Sequence, residues 1–292
     1  MKPDSGTSFP ARAVRYVVSE AGIFTFSTTG ASWPSTSRVL YTRRANMLAR
    51  LFCQWSAPEA EAGAILCVGL HLEDMAAWAS QCVPYTTEHE RREASRFAQM
   101  ADAVRHLAGR ALARRMLCAA TGQNNIAPFA RSPYGKPFCP QTNTDFSISH
   151  SADMVWVALC RTATVGIDVE QLRALPDAAD LTDQLHPQER QALRALPDNE
   201  LERTFLRCWT RKEAVLKACG TGLNTPLHSF CVNTGQQQDN WILSAPVADA
   251  CAPQCAAASP DQWTSHDIAA NAAYQCSVAA CGPRLEVIVR VM

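Results

Sequence analysis

The chain lacks an excess of either charge: 27 Lys and Arg offset 27 Asp and Glu across 292 residues. With no net charge there is no global field to attract nucleic acid or an anionic membrane, so any affinity for phosphate must come from a local cluster. No apolar run approaches the roughly 18–20 residues that a membrane span requires. The expectation is a soluble, cytoplasmic protein that binds neither nucleic acid nor membrane. C-x-x-C is also absent among the 13 cysteines, an odd number, and Cys251-x-x-x-Cys255 has no second pair or neighbouring histidine pair at zinc-finger spacing. Disulfide frameworks belong to small secreted domains, so these thiols read as reduced, small core hydrophobes. Charged residues are only 18% against 47% hydrophobic, enough to bury the core of one large or two small domains.

Acidic residues are scarce at the start. Before residue 51 only Asp4 and Glu20 face Lys2, Arg12, Arg15, Arg38, Arg43, Arg44 and Arg50, in a Ser- and Thr-rich context. That composition suits a transit peptide, a disordered tail, or a chain whose true first residue is Met47. Residues 1–60 are therefore set apart as an N-terminal extension outside the fold.

From Ala64 the pattern becomes globular. Ala64 to Leu72 is an apolar run of strand length. Glu88 to Ala120 reads as a long helix or helix pair, with Phe97, Met100, Val104, Leu107, Ala111 and Met116 at helical spacing and Thr121-Gly122 as the stop. Met154 to Leu159 reads as a strand leading through Arg161-Thr162 into a second strand, Thr164 to Val169, which suggests a hairpin. A helix from about Glu200 to Cys219 ends at Gly220, and strands follow around 230–232, 241–244, 262–268 and 274–280. Gln236 to Pro260 reads as a loop insertion. Two successive units of helices and strands imply an α+β fold, with a first half over 61–165 and a second over 166–292.

Two stretches carry chemistry. In Gly166-Ile167-Asp168-Val169-Glu170 the acids are two apart on a strand, so both leave the same face. In Trp209-Thr210-Arg211-Lys212-Glu213-Ala214-Val215-Leu216-Lys217, Glu213 and Lys217 are four apart and share a helix face. Three convergent carboxylates suit a hard cation such as magnesium, which is held by one or two carboxylates with phosphate oxygens and water. Glu213 reads as the third ligand or as a general base. Trp209, four residues before it on the same face, argues that this face meets a cleft floor and not open solvent.

These motifs, with Tyr134-Gly135-Lys136-Pro137 and Phe146-Ser147-Ile148-Ser149-His150-Ser151 in the same order, resemble those of the 4′-phosphopantetheinyl transferases. The likeness is to the larger, monomeric type that activates surfactin synthetase and other peptide and polyketide synthases. The resemblance implies two similar halves related by a pseudo-twofold axis, with the active site between them. It implies Mg²⁺-dependent transfer of the phosphopantetheine arm of coenzyme A to a serine of an apo acyl or peptidyl carrier protein. Asp168, Glu170 and Glu213 would hold the metal, Glu213 and Lys217 would act in catalysis, and Lys217 would touch a phosphate. Lys136 and Pro137 would lie along the coenzyme, and His150, in a loop between Ser149 and Ser151, would contact phosphate. For the 3′-phosphate the candidate cations are Arg92, Arg96, Arg105, Arg110, Lys136 and His150. Surfactin-type members carry basic residues in the first turns of the first-half helix. Here Glu88 to Glu93 mixes charges, so Arg105 and Arg110 fit better than Arg92. An idle binding module and a magnesium-dependent pyrophosphate hydrolase are the competing readings.

Overall fold

The computed structural model describes residues 63–175, 178–246, 255, 258–269, 271–282 and 284–291, and the backbone of two short N-terminal strands, β1 (Tyr16–Val18) and β2 (Phe24–Phe26), paired antiparallel. The other residues of the expected 1–60 extension, Met47 among them, lie outside the described residues.

The apolar run at Ala64 is a strand, β3 (Ala64–His71), and its two faces divide between two cores. Leu66, Val68 and Leu70 face one helix layer, whereas Ile65 and Cys67 face a second sheet. A strand covered on both sides reads as a continuous hydrophobic run, which is why it shows no alternation. After α1 (Met75–Cys82) come the expected helix pair, α2 (Glu88–Ala94) and α3 (Met100–Thr121). A capping box between Thr87 and Glu90 starts α2. Phe97 falls in the turn between the two helices, 38% exposed, and not on a helix face. A short hairpin of β4 (Ala130–Arg131) and β5 (Pro137–Phe138) leads into β6 (Asp145–Ser151) and β7 (Met154–Cys160).

The expected hairpin between the Met154 strand and the Asp168 strand does not form. All seven residues of β7 are buried and its two edges are taken by β3 and β6, both antiparallel. With no edge left on β7, β8 (Thr164–Gln171) enters a separate sheet beside β12 (Tyr274–Cys281), which pairs in turn with β11 (Trp263–Asp267). The hairpin that does form is β6–β7, so His150 lies in a strand and not in a loop. Between the sheets in sequence come α4 (Ala178–Thr182), α5 (Pro187–Arg194), α6 (Asp198–Cys219) and the small pair β9 (Cys231–Val232) and β10 (Ile242–Ser244). Of the expected insertion at 236–260, β10 is ordered structure, while 247–254, 256 and 257 lie outside the described residues. The last strand, β13 (Glu286–Val291), was not expected. It runs back to pair parallel with β3, giving a first sheet of order β13-β3-β7-β6.

The result is a mixed α+β architecture in layers. Helix α3 packs on the first sheet, the two sheets meet over Trp156, Ala158, Val165, Ile167, Val169 and Val278, and α6 covers the second sheet. Within α6, Lys212 is fully buried, bonding Glu189 and the carbonyls of Leu227 and Phe230. The lysine inside the helical motif is thus a structural anchor that fixes how α6 is rotated on its sheet. The 11 described cysteines are free and all but Cys118 are buried. Burial pushes the Cys67 and Cys82 thiols up, as core hydrophobes require. Cys255 differs: hydrogen bonds from Cys219 and Cys281, and then from Thr164, pull its thiol below the ordinary value. Among the described residues no helix is long and apolar enough to cross a membrane.

Candidate active site

The site depends on a missing side chain. A Cβ added at Gly166 would lie 2.0 Å from the carbonyl oxygen of Ala214 and 2.4 Å from the amide nitrogen of Ala218. Glycine alone lets the backbone of α6 lie directly on β8. At its far end α6 stops at Gly220, whose φ of 75° favours a residue without Cβ and whose N–H caps the Leu216 carbonyl. This seating holds Glu213 and Lys217 over the face of β8 that carries Asp168 and Glu170.

Asp168 is 4% exposed. Its Oδ1 accepts from Lys217 Nζ at 2.7 Å and from Ser149 Oγ at 2.8 Å, whereas the buried Oδ2 has no hydrogen-bond partner. Glu170 accepts from Ser151 Oγ at 2.8 Å. Burial, and then the Asp168 charge, raises the Glu170 carboxyl above its ordinary range, and the same two causes raise Glu213. Lys217 reaches across the cleft to Asp168 and Ser149 Oγ, 3.0 Å away, so the motif is not a solvated ion pair along one helix. Among the described residues no three carboxylate, histidine or cysteine side chains lie close enough together to hold a metal ion by themselves. Asp168, Glu170 and Glu213 line one cleft as an open acidic corner, but they do not close into the three-carboxylate seat that the sequence spacing suggested. An unpartnered buried carboxylate oxygen beside two carboxyls that resist ionisation fits a hard cation whose remaining ligands come from substrate and water.

This corner is one end of a cleft of about 570 Å³ that is also lined by Phe97, His106, Arg110, Arg131, Pro137, Ile148, His150 and Trp209. Trp209 stands on the cleft as its spacing from Glu213 required. The opposite wall is basic. Arg110 and His106, one helical turn apart on α3, are joined through His106 Nδ1 at 3.3 Å, and Arg131 projects from β4. Glu93 bonds Arg131 at 3.1 Å, and Glu90 lies 3.8 Å from Arg110 while bonding Arg114 at 3.0 Å, so this charge is only partly neutralised. A larger groove of about 650 Å³ between the start of α6 and the β11–β12 turn holds none of the motif residues.

Residues 164–279 match the sequence profile of the 4′-phosphopantetheinyl transferase superfamily, and residues 74–162 match that of the 4′-phosphopantetheinyl transferase N-terminal region. The chain is 34% identical over 158 residues to the 4′-phosphopantetheinyl transferase HetI of Nostoc sp., which covers 52% of this chain and 64% of the relative. Against the 4′-phosphopantetheinyl transferase gsp of Aneurinibacillus migulanus it is 33% identical, over 49% of this chain and 60% of the relative. Both matches span less than two thirds of the relatives' own length. With the 4′-phosphopantetheinyl transferase Sfp of Bacillus subtilis it is 30% identical over 52% of this chain and 68% of the relative. The chain belongs to the 4′-phosphopantetheinyl transferase superfamily.

Within this superfamily fold, the cleft gathers Asp168, Glu170, Glu213, Lys217, Ser149, His150, Pro137 and Arg110 from the sequence-predicted set. Four others, Arg92, Arg96, Arg105 and Lys136, stand outside its lining. Arg92 is exposed on α2 and pairs with Glu88 at 3.5 Å, and Arg96 is exposed just after that helix. Arg105 bonds the Ala152 carbonyl at 2.6 Å and Asp102, because it is one residue, and so roughly 100° of helix rotation, from His106. Its charge still acts at a distance: burial, then Arg105 and Lys217, lowers the His150 imidazole. Lys136 is spent on Asp145 at 2.6 Å and the Val165 carbonyl at 3.0 Å, so it ties the two sheets together. The residues that sequence reasoning missed are His106, Arg131 and Phe97. His106 could have been found four residues before Arg110. Arg131 could have been found from the tight turn through Ser132 and Gly135 that sets it opposite Pro137.

His106 gives a pH prediction. Burial, then the adjacent Arg110, lowers its imidazole from 6.5 to about 4. A lowered histidine favours the folded state above the unfolded value, and that stability is lost as pH falls, here between 6.5 and about 4. The loss approaches ~3 kcal/mol at the acid end. Wild type should therefore lose melting temperature faster than His106→Asn across that range. Parallel curves would mean that His106 is not held neutral by the fold.

Proposed function

We propose that this protein is an Mg²⁺-dependent 4′-phosphopantetheinyl transferase that moves the phosphopantetheine arm of coenzyme A onto a serine hydroxyl of an apo acyl or peptidyl carrier protein. One observation carries the reading: a single cleft has an acidic corner with an orphaned carboxylate oxygen at Asp168 and a basic wall facing it. The reaction is phosphoryl transfer. The serine oxygen bonds to a phosphorus of the coenzyme's pyrophosphate, the bridging P–O bond breaks, and adenosine 3′,5′-bisphosphate departs. Catalysis of this kind is mostly positioning and charge stabilisation.

Asp168, Glu170 and Glu213 would hold the magnesium, which supplies Lewis-acid neutralisation of the pyrophosphate when bound. Lys217, already at the corner, is placed to meet a phosphate oxygen as a point charge. Where Glu213 is not engaged by the metal, its carboxyl, raised above the ordinary range by burial and the Asp168 charge, would accept the serine proton. Arg110, Arg131, His106 and His150 receive the coenzyme's phosphates. His106 suits this role because its Nδ1 faces Arg110 and its buried Nε2 lacks a hydrogen-bond partner. Pro137 and the exposed ring of Phe97 offer apolar surface beside those charges. The protein acts as a cytoplasmic monomer in this reading. The test is release of adenosine 3′,5′-bisphosphate from coenzyme A and magnesium, with and without an apo carrier protein. Release only with the carrier is the expected result. Release without it would point to a pyrophosphate hydrolase, and none in either case to an idle binding module.

A further inference from the structure

Strand β6 carries a side-chain ladder. Asp145, Ser147, Ser149 and Ser151 share one face at a period of two. They accept the N–H groups of Val165 at 2.8 Å, Ile167 at 3.2 Å, Val169 at 3.2 Å and Gln171 at 3.1 Å. Each acceptor lies 20 residues before its donor, so the register is constant. These contacts fall on β8, an edge strand of its sheet. An unpaired edge needs partners for its backbone groups, and here side chains of a different sheet supply them.

Two rungs do more. A serine hydroxyl can accept and donate at once. Ser149 accepts from Val169 N–H and donates to Asp168, and Ser151 accepts from Gln171 N–H and donates to Glu170 Oε2 at 2.8 Å. The Ser147 rung spans to Ile167, next to Gly166, which has no side chain to hold. We infer that Ser151 is a positioning residue for the metal corner: its one oxygen locks the Glu170 carboxylate to the β8 backbone, so that the glutamate is aimed before any cation arrives. This inference rests on the proposed metal role of Asp168 and Glu170 and adds the group that orients one of them.

Groups that orient metal ligands typically contribute 10–100-fold to metal affinity. The experiment titrates Mn²⁺ as the probe into the full chain with saturating coenzyme A and no carrier protein, reading free Mn²⁺ by electron paramagnetic resonance. Ser151→Ala is expected to weaken Mn²⁺ binding about 10–100-fold, with Ser151→Thr, which keeps the hydroxyl, returning to wild-type affinity. Ser151→Cys, a weak donor of similar size, should also bind weakly and serves if the alanine variant does not fold. Ser147→Ala removes a rung without a carboxylate, so it should lower the melting temperature while leaving Mn²⁺ affinity unchanged. Equal affinity in wild type, Ser151→Ala and Ser151→Cys would overturn the inference, as would an equal loss in Ser147→Ala. Absence of Mn²⁺ binding in wild type would instead overturn the metal reading beneath it.

Discussion

Asp168→Asn should lose at least ~10³-fold in carrier modification while its melting temperature stays close to wild type. A metal ion contributes several kcal/mol of charge stabilisation in phosphoryl chemistry, and each 1.36 kcal/mol is tenfold in rate. Asparagine fills the same space and can still accept from Ser149, so the ladder between the sheets survives. What disappears is the negative charge beside Lys217 and the unpartnered, buried carboxylate oxygen. The fold has little reason to suffer, because Asp168 repels Glu170 and Glu213 as well as attracting Lys217. Excess magnesium should recover part of the lost rate. Near-normal turnover by a folded Asp168→Asn protein would remove the acidic corner from the mechanism.

Gly166→Ala should damage both fold and activity through one methyl group. The new Cβ meets backbone atoms of α6, at Ala214 and Ala218, and the stem of Lys217 at 2.9 Å. Backbone cannot rotate aside as a flexible side chain can, so the helix must lift from β8. Overpacking of this kind costs about 1–3 kcal/mol. The same lift carries Glu213 and Lys217 away from Asp168, and a misplacement of about 1 Å in a reacting constellation can cost ~10²-fold in rate. Thermal unfolding and steady-state kinetics on one preparation would check both. A variant with wild-type kcat would show that α6 need not sit this closely.

Much of the site was legible because its signals are local. Strand spacing put Asp168 with Glu170, helix spacing put Trp209 and Glu213 with Lys217, and all of them line one cleft. What failed depended on tertiary partners. Nothing in Met154–Leu159 announces that both its edges will be occupied, so the β7–β8 hairpin was the natural and incorrect expectation. The strand at Val287, Ile288, Val289 and Val291 was missed although its residues are β-branched, and its parallel return to β3 has no local signal at all. Among the cations, Arg105 looked as suitable as Arg110, and Arg92 and Lys136 stood beside them as candidates. Only the path of the backbone reveals that the charges of Arg92, Arg105 and Lys136 are met elsewhere by Glu88, Asp102 and Asp145. The alternate serines of β6 were visible as flanks of His150, yet their role appears only when β8 lies alongside.

The most direct test of the central claim is the intact mass of an apo carrier protein after incubation with coenzyme A, magnesium and the full chain. The account predicts a gain equal to one phosphopantetheine arm, located on a single carrier serine and absent with Asp168→Asn. Carrier proteins of fatty-acid, polyketide and peptide synthesis that all keep their apo mass, with the folded wild-type protein and both substrates present, would contradict it.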